Sequence, residues 1–310
     1  MNNPENHQKT NPATTAAGEV VTPVEFPADM KTVAGKEFGG ERALFATHRL
    51  RLENVTFHPG ESALKCCSYI DAAGCVFEGK YPFWHVDTFR CDDCHFLPGA
   101  RAALWYSRNL EMTRCQVDAP KMFREMENLS LSQVRIPDAQ ETLWSCRGVK
   151  LRDVEVEKAD YIFFHCAEID IDRYRQDGNY SFQYCRNVVI RNAVINSRDA
   201  FWETDNVTVY DSEINGEFLG WHSRNLRLVR CRINGTQPLC YCRNLIMEDC
   251  TMGDECDLSF EDSDVTATIN SAIVSVKNPR TGSIKALAVG EVILDKNLLA
   301  PADCKIETEI

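Results

Sequence analysis

Across residues 30–256 the apolar positions alternate in and out over short stretches separated by polar breaks, and the whole pattern repeats. With Asn109 as anchor, Leu110 and Met112 follow one and three places later, then Cys115 and Val117 six and eight places later. The same spelling recurs at Asn128 (Leu129, Leu131, Val134, Ile136) and at Asn187, Asn206, Asn225 and Asn244. With other residues in the anchor slot it fits Arg49, Tyr69, Thr88, Gly148 and Glu168, giving eleven anchors spaced 19 to 21 residues apart. The phrases SRNLEMTRCQV (107–117) and SRNLRLVRCRI (223–233), which share six of eleven letters, are two rungs of this ladder.

A period of two is strand patterning, and no 3.6-residue period competes with it. A leucine-rich horseshoe has a similar repeat but needs a helical or 3₁₀ segment on its convex side, which the sequence does not offer. Short strands that turn every six or seven residues and stack in parallel predict an all-β chain. The expected form is a single-stranded right-handed parallel β-helix of about 11–12 coils, its hand following from the crossover rule. At strand spacing of ~4.8 Å the rod would be roughly 50 Å long.

Columns of the ladder have simple physical readings. Asn at an anchor tolerates the left-handed region of a turn, and its amide can bond to the rungs on either side. The slot five before the anchor is Leu or Phe in ten of eleven rungs, Gly220 being the exception, so it is a core column. Cysteines gather in the plus-six slot (Cys75, Cys94, Cys115, Cys231, Cys250) and the minus-two slot (Cys67, Cys146, Cys166, Cys185, Cys242), where small soft side chains suit a narrow interior. Cys91 and Cys94 have zinc-like spacing, but no second pair accompanies them, so they too are read as core.

Residues 1–29, rich in Asn, Pro, Thr and Ala, read as a flexible tail. A cap begins at KEFGGERALF, and from Asp257 the period fades into short strands and a turn around Asn278-Pro279, which reads as terminal coils with a C-terminal β cap over 257–310. The rung EIDIDRYRQDGNYSF carries Gln176 where its neighbours are apolar, and a bulge or loop is expected to leave the rod there.

With 44 % hydrophobic residues a sizeable core can form, and a net charge of -12 argues against a binder of nucleic-acid phosphates or of an anionic membrane surface. The first residues have no basic and apolar signal pattern, and fifteen cysteines suggest free thiols in a reducing cytoplasm. No cofactor or metal site is read.

The phrases KEFGGERALF, GESALK, KYPFWH, APKMFR, ETLWSC, DAFW, LGWHSRNL and SVKNP resemble a bacterial family known as domain of unknown function 3737. The resemblance spans about residues 35–297. It implies a pectate-lyase-like right-handed β-helix in a cytoplasmic bacterial setting and implies no activity. Signatures of the wider superfamily's galacturonan hydrolases and lyases are absent from the sequence.

All five tryptophans (Trp84, Trp105, Trp144, Trp202, Trp221) occupy the slot four before the anchor, which they share with Lys65, Arg124 and Gln183. The next slot holds His85, Tyr106, Glu125, His165, Tyr184, Glu203, His222 and Tyr241. Alternation from the minus-two slot would bury the tryptophans as a core stack. Against this, minus-five is already inward, and Lys65, Arg124 and Gln183 suit a dry core poorly. A partly exposed aromatic strip is the favoured expectation, its flat faces offered to sugar rings.

Three functions compete. The strip predicts an oligo- or polysaccharide ligand, with Trp84, His85, Trp105, Tyr106, Trp144, His165, Tyr184, Trp202, Trp221 and Tyr241 as contacts. Catalysis would fall to Glu203 and His222, the carboxylate poising the imidazole as a base. A hydrogen-bonded surface ladder competes with that assignment. A non-catalytic interaction scaffold is the second function, and a site for small sugar acids around Asp172, Arg173, Arg175 and Asp177 the third.

Overall fold

The computed structural model describes residues 23–296 and 302–309. It is an all-β solenoid of about 14 parallel coils. Every named strand pairing is parallel, as required when a chain winds in one sense and each coil lies on the one before. The coils beyond the expected 11–12 come from Lys31–Ala34 at one end and Asp264–Lys277, Thr281–Ile293 and Lys305–Thr308 at the other.

Each coil contributes two strand tracks. In one coil they are Arg108–Thr113, starting just before the anchor, and Gln116–Val117. In the middle of the rod the tracks fuse into continuous strands, among them Arg147–Val156 and Ala167–Asp177. Isolated bridges between Trp105, Arg124, Trp144 and Phe164 form a third, one-residue track along the minus-four column.

The interior is filled as the columns foretold. Leu64, Phe83, Leu104, Phe123, Phe163, Phe182 and Phe201 are buried, and Phe163, Phe182 and Phe201 stack at 4.4 and 5.0 Å between successive centroids. The anchor asparagines all adopt the left-handed region, with φ from 54° to 59°. Asn128 donates to Asn109 and Asn206 to Asn187, each at 2.8 Å. A second amide ladder, Asn234 to Asn215 to Asn196, runs down another corner. Cys91 and Cys94 are both buried, and burial pushes the Cys67 and Cys242 thiols up to about 11.

Three expectations are corrected. No bulge leaves the rod at the seventh rung: Ala167–Asp177 pairs in unbroken register with both neighbours. Tyr174 and Gln176 point inward instead, and the phenol donates to Gln176 Oε1 at 3.0 Å, so two polar groups satisfy part of each other's demand inside the core. The C-terminal strands are long, 14 and 13 residues, and stay parallel to the coils, because the two tracks fuse there with a register shift between Ile269 and Ala272. Finally, the expected tail is in part docked. Residues 1–22 lie outside the described residues, but Val24 is buried and its N–H donates to Glu111 Oε1 at 2.9 Å. Nearby, Phe26 packs under the Arg90 guanidinium at 4.8 Å.

Candidate functional site

The minus-four column is neither core nor fully open: all five tryptophans are half-buried. The cause is local. From the fourth anchor coil onward the residues on either side of the slot take left-handed φ, as at Leu104 (59°) and Tyr106 (57°) or Phe201 (62°) and Glu203 (50°). Two such bends in three residues turn minus-five inward, lay minus-four along the surface and push minus-three outward. Non-glycine residues are strained in this region. The strain is offset by neighbouring coils: the minus-three N–H donates to the minus-four carbonyl of the next coil, as from Tyr106 to Arg124 (2.9 Å) and Glu203 to Trp221 (2.9 Å).

Lying along the surface, the indoles stack on one another and on what fills the same slot. Trp84 and Trp105 are parallel within 11° at 5.6 Å, and Arg124 is sandwiched between Trp105 and Trp144 at 4.3 and 4.4 Å. The indole N–H groups of Trp84, Trp105, Trp144 and Trp221 donate to backbone carbonyls of the next coil at 2.6–2.8 Å. These ring faces are therefore turned to each other rather than to solvent, and edges look outward. Stacking thus takes up faces of Trp84, Trp105 and Trp144 that were expected to be offered to sugar rings. Trp202 differs, its N–H reaching Glu203 Oε1 at 3.3 Å.

The minus-three column is the outward one. His85, His165, Glu203 and His222 are exposed, Tyr106 is 39 % exposed, and Tyr184 and Tyr241 are half-buried. His85 stacks on Tyr106, His165 on Tyr184 and His222 on Tyr241, at 5.2, 4.7 and 4.9 Å. His222 is thus held by rings, Tyr241 on one side and Trp202, tilted at 5.5 Å, on another, while the Glu203 carboxylate is engaged by the Trp202 indole. Burial, with Glu261 nearby, raises the Tyr241 phenol above its ordinary value.

Because minus-two is buried, the minus-three and minus-one columns flank a groove. It deepens at two places. One depression, of about 480 Å³, brings together Trp202, Glu203, His222 and Tyr241 with Asp205, Arg224 and Arg243. The other, of about 350 Å³, combines His85 and Tyr106 with Asp87, Arg108, Glu125 and Glu127. Trp84, Trp105, Trp144, His165, Tyr184 and Trp221 line neither. The minus-one residues were missed from sequence. Their signal was charge at every second position after an exposed minus-three residue, with a buried residue between. Of the residues of the third reading, Arg173 bridges Asp153 and Asp172 in surface ion pairs, while Arg175 and Asp177 are exposed. Among the described residues no three His, Cys, Asp or Glu side chains converge as metal ligands would, and no helix is long and apolar enough to cross a membrane.

The family model described as protein of unknown function (DUF3737) matches residues 31–307. Among solved structures, the chain is similar to PfbA, a surface adhesin of Streptococcus pneumoniae, at 8 % identity over 90 % of this chain and 86 % of that one, with a TM-score of 0.37. It is also similar to the A-module of the Azotobacter vinelandii mannuronan C-5 epimerase AlgE4, at 10 % identity over 90 % and 91 %, with a TM-score of 0.29. A third likeness, to the plasmid-mediated fluoroquinolone resistance protein QnrB1, has 13 % identity over 76 % and 94 % and a TM-score of 0.24. Likenesses of this degree say nothing about ligand or activity. No curated protein matches the chain.

Proposed function

We propose that this chain, which belongs to the DUF3737 family of proteins of unknown function, binds a saccharide in the groove between its minus-three and minus-one columns. The observation that carries the reading is the depression of about 480 Å³ in which an indole, an imidazole, a phenol, two carboxylates and two guanidinium groups meet on the outside of the rod. A polyol presents many hydroxyls that both donate and accept, and such a mixed set can pair with them in a way a uniformly charged patch cannot. The aromatic contribution comes from ring edges and from Trp202. Turnover would rest on Glu203 and His222. Fifteen unpaired thiols support a reducing, cytoplasmic setting as part of this reading.

The scaffold reading keeps one observation of its own. The tryptophan faces close on each other and on Arg124, which makes that column a structural brace.

The test is a titration with neutral and uronic oligosaccharides, read by tryptophan fluorescence and by released reducing ends. A saturable change that Trp202→Ala and Arg224→Ala abolish supports binding. Reducing ends lost in Glu203→Gln and His222→Ala would add turnover. No response to any saccharide by fluorescence or calorimetry leaves the scaffold.

A further inference from the structure

The outward column has a repeat longer than one coil. Reading minus-three along the rod, a His, a Tyr and an acid follow one another on successive coils three times. The first set is His85, Tyr106 and Glu125, the second His165, Tyr184 and Glu203, and the third His222, Tyr241 and Asp262. All nine residues take left-handed φ between 47° and 61°, so all occupy the same bend.

The flanking column repeats in step. Two residues after each of these tyrosines stands an arginine followed by the anchor asparagine: Arg108-Asn109, Arg186-Asn187 and Arg243-Asn244. Two residues after each acid stands a second acid, Glu127, Asp205 and Asp264. The geometry is also the same in each set, since every His–Tyr pair stacks within 15° at 4.7 to 5.2 Å. The three imidazoles are exposed, Tyr106 is 39 % exposed, and the Tyr241 phenol donates to Glu261 Oε2 at 3.4 Å.

The three sets are nearly contiguous. A single coil separates the first from the second, and its minus-three residue is Ser145, too small to block the groove. The third follows the second directly, and the depression of about 480 Å³ is built at their junction from Glu203 of one and His222 and Tyr241 of the other. From His85 to Asp262 the line crosses nine coil spacings, ~43 Å at strand separation.

We infer that these are three tandem subsites for one linear, uncharged polysaccharide lying parallel to the rod axis. The inference rests on the saccharide reading above and deepens it by naming a polymer. Three copies of one donor and acceptor set, in line and at multiples of one spacing, match a ligand that repeats along its length; a single small sugar would use one. Charge selects the uncharged chain. Across the three sets and the residues flanking them, four arginines (Arg108, Arg186, Arg224, Arg243) face seven carboxylates (Asp87, Glu125, Glu127, Glu203, Asp205, Asp262, Asp264), on a protein of net charge -12, so a polyuronate would be repelled.

The experiment uses gluco-, manno- and xylo-oligosaccharides in two lengths, with polygalacturonate as the anionic probe. The short chains cover one subsite of three coils (~14 Å), the long ones the full line. Affinity is measured by calorimetry, and hydroxyl-radical footprinting reads each tyrosine separately. A long neutral chain is expected to bind ~100-fold or more tighter than a short one of the same linkage, because the second and third contacts become intramolecular. It should protect Tyr106, Tyr184 and Tyr241 together, and Tyr106→Ala, Tyr184→Ala and Tyr241→Ala should each weaken it. Tyr106→Phe, which keeps the ring stacked on His85, guards against a folding defect and should weaken it too.

Affinity that stops rising at one subsite's length, or protection confined to Tyr241, would overturn the tandem arrangement and leave a single saccharide site standing. Preference for polygalacturonate would overturn the uncharged assignment. Absence of binding by any chain would remove both this inference and the reading beneath it.

Discussion

Trp84 and Trp105 lie 5.6 Å apart with planes within 11°, and each indole N–H is held by a carbonyl of the following coil. Two residues 21 positions apart in sequence thus close each other's faces, and an aromatic column becomes a brace along the rod.

The brace is strongest where it contains a cation. Arg124 lies between Trp105 and Trp144, and its Nε is buried with no hydrogen-bond partner, so its stabilisation must come from the two ring faces and from Glu141 at 3.7 Å. Arg124→Ala is expected to lower unfolding free energy by about 1–3 kcal/mol, the value of two partly desolvated cation–π contacts. Arg124→Lys should recover less than half, since an ammonium cannot stack flat on both rings. Urea unfolding followed by tryptophan fluorescence measures both.

Tyr174 and Gln176 form an isolated polar pair inside the core, and Gln176 Nε2 has no partner. Tyr174→Phe strands the amide oxygen and Gln176→Leu strands the phenol, so each single change should cost about 1–3 kcal/mol. Tyr174→Phe with Gln176→Leu removes both polar groups and should be nearly neutral or stabilising. A double-mutant cycle reads the coupling directly. Additive losses would contradict the pairing.

Two aspartates should give opposite pH signatures. Burial works to raise the Asp264 carboxyl, but the Arg280 guanidinium and the Thr281 hydroxyl (2.6 Å) outweigh it and hold it below the ordinary range. Its contribution is therefore fully present above the unfolded value, about 4, and is lost as pH falls through the depressed folded value. Asp264→Asn should cost about 0.5–1.5 kcal/mol at pH 7 and progressively less in acid.

Asp199 is raised by burial, with Glu217 adding to the effect and Arg198 opposing it. A raised folded value favours the native state in acid, and that advantage is lost as pH rises through it. Asp199→Asn, which suits its left-handed φ of 52°, should stabilise the protein by about 1 kcal/mol at pH 7, with the gain vanishing in acid. Urea midpoints from acid to neutral pH distinguish the two cases.

The thiols should be inert in the folded protein. Only Cys66 and Cys304 are other than buried, and burial pushes Cys304 up to about 11 and Cys240 up to about 12. Ellman's reagent should label Cys66 first, Cys304 slowly and the others only in denaturant. Rapid native labelling of Cys91 or Cys94 would show that the interior column opens.

The coil was legible in the chain because it is a local property repeated many times. Leu110 and Met112 alternate with polar residues, Phe163, Phe182 and Phe201 return to one slot, and Asn109 and Asn128 mark one corner. Each of these follows from side-chain period and from burial of apolar surface. The tilt of the tryptophans was not legible. It depends on left-handed bends at residues such as Leu104 and Tyr106, which carry no glycine or asparagine signal and are stabilised by carbonyls a coil away.

The inward turn of Tyr174 and Gln176 depended on each finding the other in the core, and the docking of Val24 and Phe26 on Glu111 and Arg90 joins positions more than sixty residues apart. The groove likewise needed stacking, because only coils laid in register set Glu203 beside His222 and Tyr241. Sequence by itself determined the repeat, its core and its amide ladder, since these rest on neighbours along the chain and on copies of the same slot. Tertiary structure decided which faces of the aromatic and charged columns reach solvent, because backbone strain and polar partners from adjacent coils set that balance.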